Sequence, residues 1–203
     1  MSYDYSENIL VQESAGHLLE RELGWEVAYA YNTEKLGKDG TFGRTSYKEI
    51  LLTRYFRQAL QRLNPWLNSA QMDEAQKKME SRLSTASAMQ INEEKYALIR
   101  DGIPVTVKRP DGRTEEKKAA VIDFQHPNDP KRNHFLAIKE LKIHGDLYRR
   151  RTDIVGFVNG IPLLFVELKK NTVDVQNAYT DNYTDYLDTI PHLIYYDAFL
   201  ILS

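Results

Sequence analysis

Residues 149–170 read Arg-Arg-Arg-Thr-Asp-Ile-Val-Gly-Phe-Val-Asn-Gly-Ile-Pro-Leu-Leu-Phe-Val-Glu-Leu-Lys-Lys, and their pattern decides the fold. Asn159-Gly160 between two β-prone runs is the strongest short-range hairpin signal in the chain. Residues two apart in a strand share a face, so Glu167 and Lys169 project together, away from Val166 and Leu168. A three-residue turn sets Asp153 opposite Glu167, whereas a two-residue turn displaces it by one position. In the first register Asp153, Glu167 and Lys169 converge. Two carboxylates at one spot repel, and a hard divalent cation with oxygen ligands relieves the repulsion, magnesium being the natural occupant. An ammonium beside that cation can orient a water for attack on phosphorus and offset transition-state charge. The competing possibility is an edge hairpin whose charges face water, where Glu-x-Lys is worth little. The run VGFVNGIPLLFV favours the first, because strands buried on both faces rarely carry three ionisable groups at one end without a use for them.

Working outward, residues 7–23 read as a helix with an apolar stripe of Ile9, Leu10, Leu18, Leu19 and Leu23, stopped by Gly24. Trp25 to Tyr31 suits a strand. The loop LGKDGTFGRTS is glycine-rich but fails the phosphate-loop pattern, since Lys38 stands where the first Gly is needed and Arg44 where Lys is needed. Ser46-Tyr-Lys-Glu49 is a capping box for a second helix that stops at Asn64-Pro65. Two more helices are expected over 69–84 and 87–100, the first polar enough to be an exposed appendage. The period then changes to two. Strands are expected over 103–107 and 119–124 around the turn Pro110-Asp111-Gly112, and again over 134–144. After the hairpin, Asp174 can cap a helix on which Tyr179, Tyr183 and Tyr186 form one stripe, serving either packing or contact with DNA or an active site. The whole is one α/β or α+β domain over residues 1–203, with a helical insertion near 69–100.

The chain has 203 residues, no cysteine and a net charge of −2. Absence of cysteine excludes a disulfide scaffold, thiolate metal sites and a Cys nucleophile, and it fits a reducing interior. No apolar run approaches the roughly 20 residues of a membrane span. The five histidines show no metal-ligand spacing. The net charge argues at first against a nucleic-acid partner, but it is a sum over unlike parts. Residues 101–170 carry 14 basic and 10 acidic side chains, and residues 171–203 carry no basic side chain and five Asp. Basic residues cluster at Arg149-Arg150-Arg151 and Lys117-Lys118, either as a solvated face or as phosphate contacts.

Asp153…Glu167-Leu-Lys169 resembles the PD-(D/E)xK nuclease signature, with Thr152 where the motif has Pro. The segments ESAGHLLERELGW, FGRTSYKEILL, ALQRLNP, TDIVGFVNGIPLLFVELK and TDYLDTIPHLIYYDAFLILS, in this order and spacing, resemble the N-terminal part of the R subunit of type I restriction endonucleases. The resemblance runs from about residue 7 to Ser203. It implies a restriction-endonuclease-like mixed β-sheet flanked by helices, with Asp153 and Glu167 as Mg²⁺-binding acids and Lys169 as the catalytic lysine. Glu13 matches an additional acid near the metal. Asn182 and Tyr186 match the family's QxxxY element, with Asn in place of Gln. It also implies a cytoplasmic enzyme cutting unmodified double-stranded DNA in an ATP-dependent complex with modification and specificity subunits. Arg149, Arg150, Arg151, Lys117 and Lys118 are its candidate DNA contacts. ATP would enter only through motor domains, for which this sequence holds no phosphate loop; DAFLILS reads as a strand leading into more protein. The alternatives are a catalytically silent docking module, or a RecB-like exonuclease or junction resolvase of the same fold.

Overall fold

The computed structural model describes residues 7–82, 85–168, 179 and 183–202. Helix α1 (Glu7–Arg21) leads into β1 (Glu26–Tyr29), and a long loop carries the chain to α2 (Thr53–Leu63), α3 (Ser69–Glu80) and α4 (Ala88–Asp101). The hairpin β2 (Ile103–Lys108) and β3 (Thr114–Ala119) follows, then β4 (Phe135–Lys139), β5 (Lys142–His144) and β6 (Arg149–Arg151). Next come β7 (Ile154–Val158), β8 (Ile161–Glu167), α5 (Thr184–Thr189), a 3₁₀ helix (Pro191–Tyr196) and β9 (Phe199–Leu202). The main sheet has the order β1-β4-β7-β8-β9, parallel at both edge pairs and antiparallel in the centre. This is the mixed sheet flanked by helices expected of a restriction-endonuclease-like α/β fold. Among the described residues no helix is long and apolar enough to cross a membrane.

Burial explains the layering. On one face Leu19 of α1 packs with Ala137, Ile154, Val166 and Leu168. On the other, Phe56 and Leu60 of α2 and Leu193 of the 3₁₀ helix join Leu136, Ile138, Val155, Phe157 and Phe165. Each such large side chain contributes roughly 1.5–3 kcal/mol on burial.

The central hairpin sets the register. Val158 pairs with Ile161, so the turn is the two-residue one, and Asn159 (φ 51°) and Gly160 (φ 80°) take the left-handed conformations that a type I′ turn requires. Taken alone, that turn would put Asp153 one position out of line. The register then shifts: Phe157 pairs with Pro162 but Gly156 with Leu164, leaving Leu163 as a bulge. Pro162 has no N–H to give the ladder, so the interruption falls where it costs least. Ile154 consequently faces Val166, and the next two positions, Asp153 and Glu167, oppose each other at the same sheet end.

The turn is buried. Asn159 Oδ1 accepts from the His134 N–H at 2.8 Å and from Arg62 Nη2 at 2.8 Å, while Nδ2 donates to the Val121 carbonyl at 2.8 Å and to Asn133 Oδ1 at 3.0 Å. The Gly160 carbonyl accepts the Leu52 N–H at 2.9 Å, and a Cβ on Gly160 would lie 2.5 Å from the Leu52 carbonyl oxygen.

Several local expectations change. The Ser46–Glu49 box does not open α2, which starts at Thr53 with no side-chain cap. Ile50, Leu51 and Leu52 are all buried, which one helix face cannot achieve for three consecutive residues, and the Glu49 carboxylate instead takes the Thr45 N–H at 3.1 Å. Arg44 is likewise structural, buried and bidentate to Glu34 at 2.8 and 2.6 Å. The first polar helix, α3, is not an appendage: Ala75 and Met79 are fully buried in the main core, and buried Lys95 donates to the Lys78 carbonyl at 3.2 Å beside the helix end. The strand expected over 119–124 ends at Ala119, and the one over 134–144 is broken by Glu140, whose φ is 55°. The first helix ends at Arg21; Leu18 on it and Leu23 beyond it are 58% and 60% exposed, and the buried stripe runs through Gln12, Gly16 and Leu19.

Candidate active site

Asp153 sits in the bend before β7, and Glu167 ends β8, only 3% exposed. Both Asp153 oxygens are engaged. Gln12 Nε2 of α1 donates to Oδ1 at 2.7 Å, and the backbone N–H of Leu168 donates to Oδ2 at 2.7 Å. The bend carrying Asp153 is itself tied, because its carbonyl accepts the Glu140 N–H at 2.9 Å and the Thr152 N–H donates to the Leu141 carbonyl at 3.1 Å. On the Glu167 side, the Tyr186 hydroxyl of α5 donates to Oε2 over 3.4 Å and stands 3.5 Å from the Arg151 carbonyl oxygen. The Tyr186 ring packs edge-on against Phe165, with centroids 5.5 Å apart. The two acids are thus approached from opposite faces of the sheet, one by α1 and one by α5.

The other predicted positions distribute unevenly. Lys169 and Asn182 lie outside the described residues. Glu13 ion-pairs at 2.6 Å with Lys139, which ends β4 beside this site. Among the described residues no three His, Cys, Asp or Glu are grouped so as to hold a metal ion. Arg149 is exposed on β6. Arg150 is bidentate to Asp185 of α5, and Arg151 pairs with Glu140 at 3.1 Å while lying over the Tyr31 ring. Lys117 and Lys118 belong to the separate β2–β3 sheet, where Lys117 pairs with Glu115 at 3.5 Å. Tyr179 and Tyr183 stack on each other with centroids 5.8 Å apart, and burial raises the Tyr183 phenol pKa.

Sequence reasoning passed over Gln12 and Lys139. Each had a signal. Gln12 is a polar residue at helical spacing from Gly16 and Leu19, on the stripe that faces the sheet, and it is 7% exposed. Lys139 closes an otherwise apolar strand, FLAIK, and is buried with it. A polar group buried on an apolar stripe must find a partner, and here the partners are Asp153 and Glu13.

The arrangement offers two carboxylates at one sheet end, one gripped from α1 and the backbone, the other under a tyrosine. A model of the type I restriction enzyme R protein N terminus matches residues 4–203 of the chain. The chain is 30% identical over 187 residues to the type I restriction enzyme HindI endonuclease subunit of Haemophilus influenzae, a match covering 90% of this chain and 17% of that protein. It is 27% identical over 168 residues to a putative type I restriction enzyme MjaIXP endonuclease subunit of Methanocaldococcus jannaschii, covering 79% of this chain and 15% of that one. This chain therefore spans less than a fifth of the length of these relatives.

Proposed function

Because the chain belongs to the family formed by the N-terminal region of the type I restriction enzyme R protein, we propose that it is the Mg²⁺-dependent endonuclease unit of such a subunit, hydrolysing phosphodiester bonds of unmodified double-stranded DNA. The supporting observation is the opposition of Asp153 and Glu167, produced by the bulge at Leu163. Their donor set fits the ion: Mg²⁺ is held by one or two carboxylates and keeps several waters, so two acids suffice. When bound, the ion screens the incoming phosphodiester and lowers the pKa of a bound water.

The chain's own residues supply the rest. Gln12 and the Leu168 N–H fix the plane of Asp153, and Tyr186 restricts Glu167. Lys169 follows Leu168 directly and is assigned the orientation of the attacking water; Asn182 and Glu13 keep accessory roles. Arg149, Arg151, Lys117 and Lys118 are assigned to phosphates. The ion pairs of Arg151 and Lys117 do not prevent this, because both cations keep about half of their side chain open to phosphate oxygens. ATP-driven translocation, target choice and the modification and specificity subunits belong in this proposal to the larger cytoplasmic assembly.

Asp153→Ala and Lys169→Ala, each in the full-length R polypeptide assembled with its partner subunits, test the proposal on circular duplex DNA with Mg²⁺. Both variants should fold and hydrolyse ATP but leave the circle uncut. Wild-type cutting by both would overturn it. Degradation confined to DNA ends would reassign the chain to an exonuclease of the same fold.

A further inference from the structure

Arg150 lies between two other arginines on β6, in a run that reads as a phosphate-binding patch. Its contacts are of a different kind from theirs. Nε meets Asp185 Oδ2 at 2.6 Å and Nη2 meets Asp185 Oδ1 at 2.8 Å, the two parallel bonds of a guanidinium–carboxylate fork. Its remaining Nη1 donates to the Arg149 carbonyl at 3.1 Å, and the guanidinium lies over the Tyr148 ring, 5.1 Å from the centroid. The pair is half-covered, with side chains 28% and 35% exposed. Asp185 is held from its own helix as well, its carbonyl accepting the Thr189 hydroxyl at 2.7 Å.

Helix α5 has six residues, too few to hold a helical shape without tertiary anchors. Its anchors on this side are the Arg150 fork at Asp185 and, one residue on, the Tyr186 ring against Phe165. Strand β6 also runs through Thr152 directly into Asp153. The fork therefore ties the strand that delivers one acid to the helix that covers the other. We infer that Arg150 and Asp185 form a clamp that positions Tyr186 against Glu167, so that Arg150 is a positioning residue and not a phosphate contact. The inference rests on the nuclease proposal for its consequence in cutting, but not for the clamp itself. In keeping with the geometry, the fork holds the Asp185 carboxyl below its ordinary range and raises the Arg150 guanidinium.

Charge separates the two roles. If Arg150 served phosphates, Asp185 would compete with DNA for it, and Asp185→Asn would release it and tighten DNA binding. If the fork is a clamp, Asp185→Asn loosens α5 and lowers kcat with KM for DNA unchanged. Arg150→Lys, which keeps the charge and loses the fork, should do the same. A misplacement of about 1 Å in a supporting residue can cost on the order of 10²-fold, and a fall of at least ~10-fold in kcat is expected for each variant. The double variant Arg150→Lys/Asp185→Asn should be no slower than the slower of these two single variants, because one interaction is lost in all three.

The second measurement needs no cutting. In ¹³C-tyrosine-labelled full-length R polypeptide, with the Tyr186 ring signal assigned through Tyr186→Phe, both Asp185→Asn and Arg150→Lys should shift that signal without metal or DNA. Thermal melts establish that the variants are folded. An unmoved Tyr186 signal, or Asp185→Asn cutting at the wild-type rate or faster, would overturn the clamp. A wild-type protein that cuts nothing, while the Tyr186 signal still moves in both variants, would instead sink the nuclease proposal and leave the clamp standing.

Discussion

The two ends of the β7–β8 hairpin use polar residues in opposite ways. At the turn end, Asn159 is fully buried and both of its amide groups are hydrogen-bonded, its oxygen to two donors and its nitrogen to two acceptors. Nothing there is left to react. At the open end two carboxylates sit at one sheet end, one held from α1 and the other under α5, a concentration of like charge that folding alone would not select. The ends are linked by the bulge: a rigid turn plus one extra residue fixes which side chains meet five to seven residues away. Stability is concentrated at one end so that alignment can be imposed at the other.

Breaking the open end should have the largest effect. Asp153→Ala is expected to lower cutting by the assembled enzyme on the order of 10³-fold or more, because a bound cation supplies several kcal/mol of transition-state stabilisation. The melting temperature should fall by no more than a few degrees, since the substitution removes one of two like charges at the sheet end even as it strands the Gln12 amide and the Leu168 N–H. Cutting rates and thermal melts on the same preparation check both halves.

Breaking the turn end should give the inverse pattern. Asn159→Ala takes the partner in this turn from the Val121 carbonyl, the His134 N–H and Arg62 Nη2, and each buried unsatisfied group costs roughly 1–3 kcal/mol. A loss of about 3 kcal/mol corresponds to a fall of roughly 6–12 °C in Tm for a domain of this size. The surviving folded molecules should cut at close to the wild-type rate per molecule. A large loss of specific activity with unchanged Tm would show that the two ends are not divided as described.

How far the sequence reveals this division differs between the ends. Asn159-Gly160 announces the turn because only φ > 0 residues fit it, and the alternation around Glu167 places that acid on a face. The pairing of Asp153 with Glu167 was legible only as a choice between turn lengths. Neither choice was the mechanism. A two-residue turn with a bulge does what a three-residue turn would have done, and Pro162, a residue that strands admit mainly at edges and bulges, was the available clue. The packing of α3 is hidden for a related reason: it buries Ala75 and Met79 in an otherwise polar sequence, so its mean polarity masks a narrow apolar stripe. Gln12 and the Arg150–Asp185 fork depend on contacts across more than 30 residues, which no local pattern encodes.

Gln12 offers a smaller perturbation of the open end than removing an acid. Gln12→Ala deletes the donor to Asp153 Oδ1 but leaves the Leu168 N–H on Oδ2. Residues that orient a metal-binding group typically cost 10–100-fold in affinity or activity when removed. The expected outcome is a decrease of about 10-fold in cutting, with a higher Mg²⁺ requirement, measured by titrating the metal. If cutting and metal requirement are both unchanged, the Leu168 N–H alone holds Asp153, and the open end is as rigidly fixed as the turn end.

The mildest perturbation acts on the turn end through pH. Asn133, which bonds Asn159, is carried by a loop whose other anchor is Asp123. The Asp123 carboxylate takes Arg132 Nε at 2.6 Å and the backbone N–H groups of His126 at 3.0 Å and Gln125 at 2.9 Å. The Arg132 bond first, and the backbone bonds after it, pull its pKa from an ordinary 3.8 down to about 2. A carboxyl with a depressed folded-state pKa stabilises the fold above its unfolded value and loses that contribution as pH falls toward the folded one. The window is therefore pH about 4 down to about 2, and over it the His134 and Asn159 amides should exchange faster in hydrogen–deuterium measurements once intrinsic rates are corrected for pH. Asp123→Asn should remove that pH dependence by making the loop equally loose at both values. Amides near Asp153 should show no matching response to Asp123→Asn, because the loop reaches the turn end of the hairpin and not the acids.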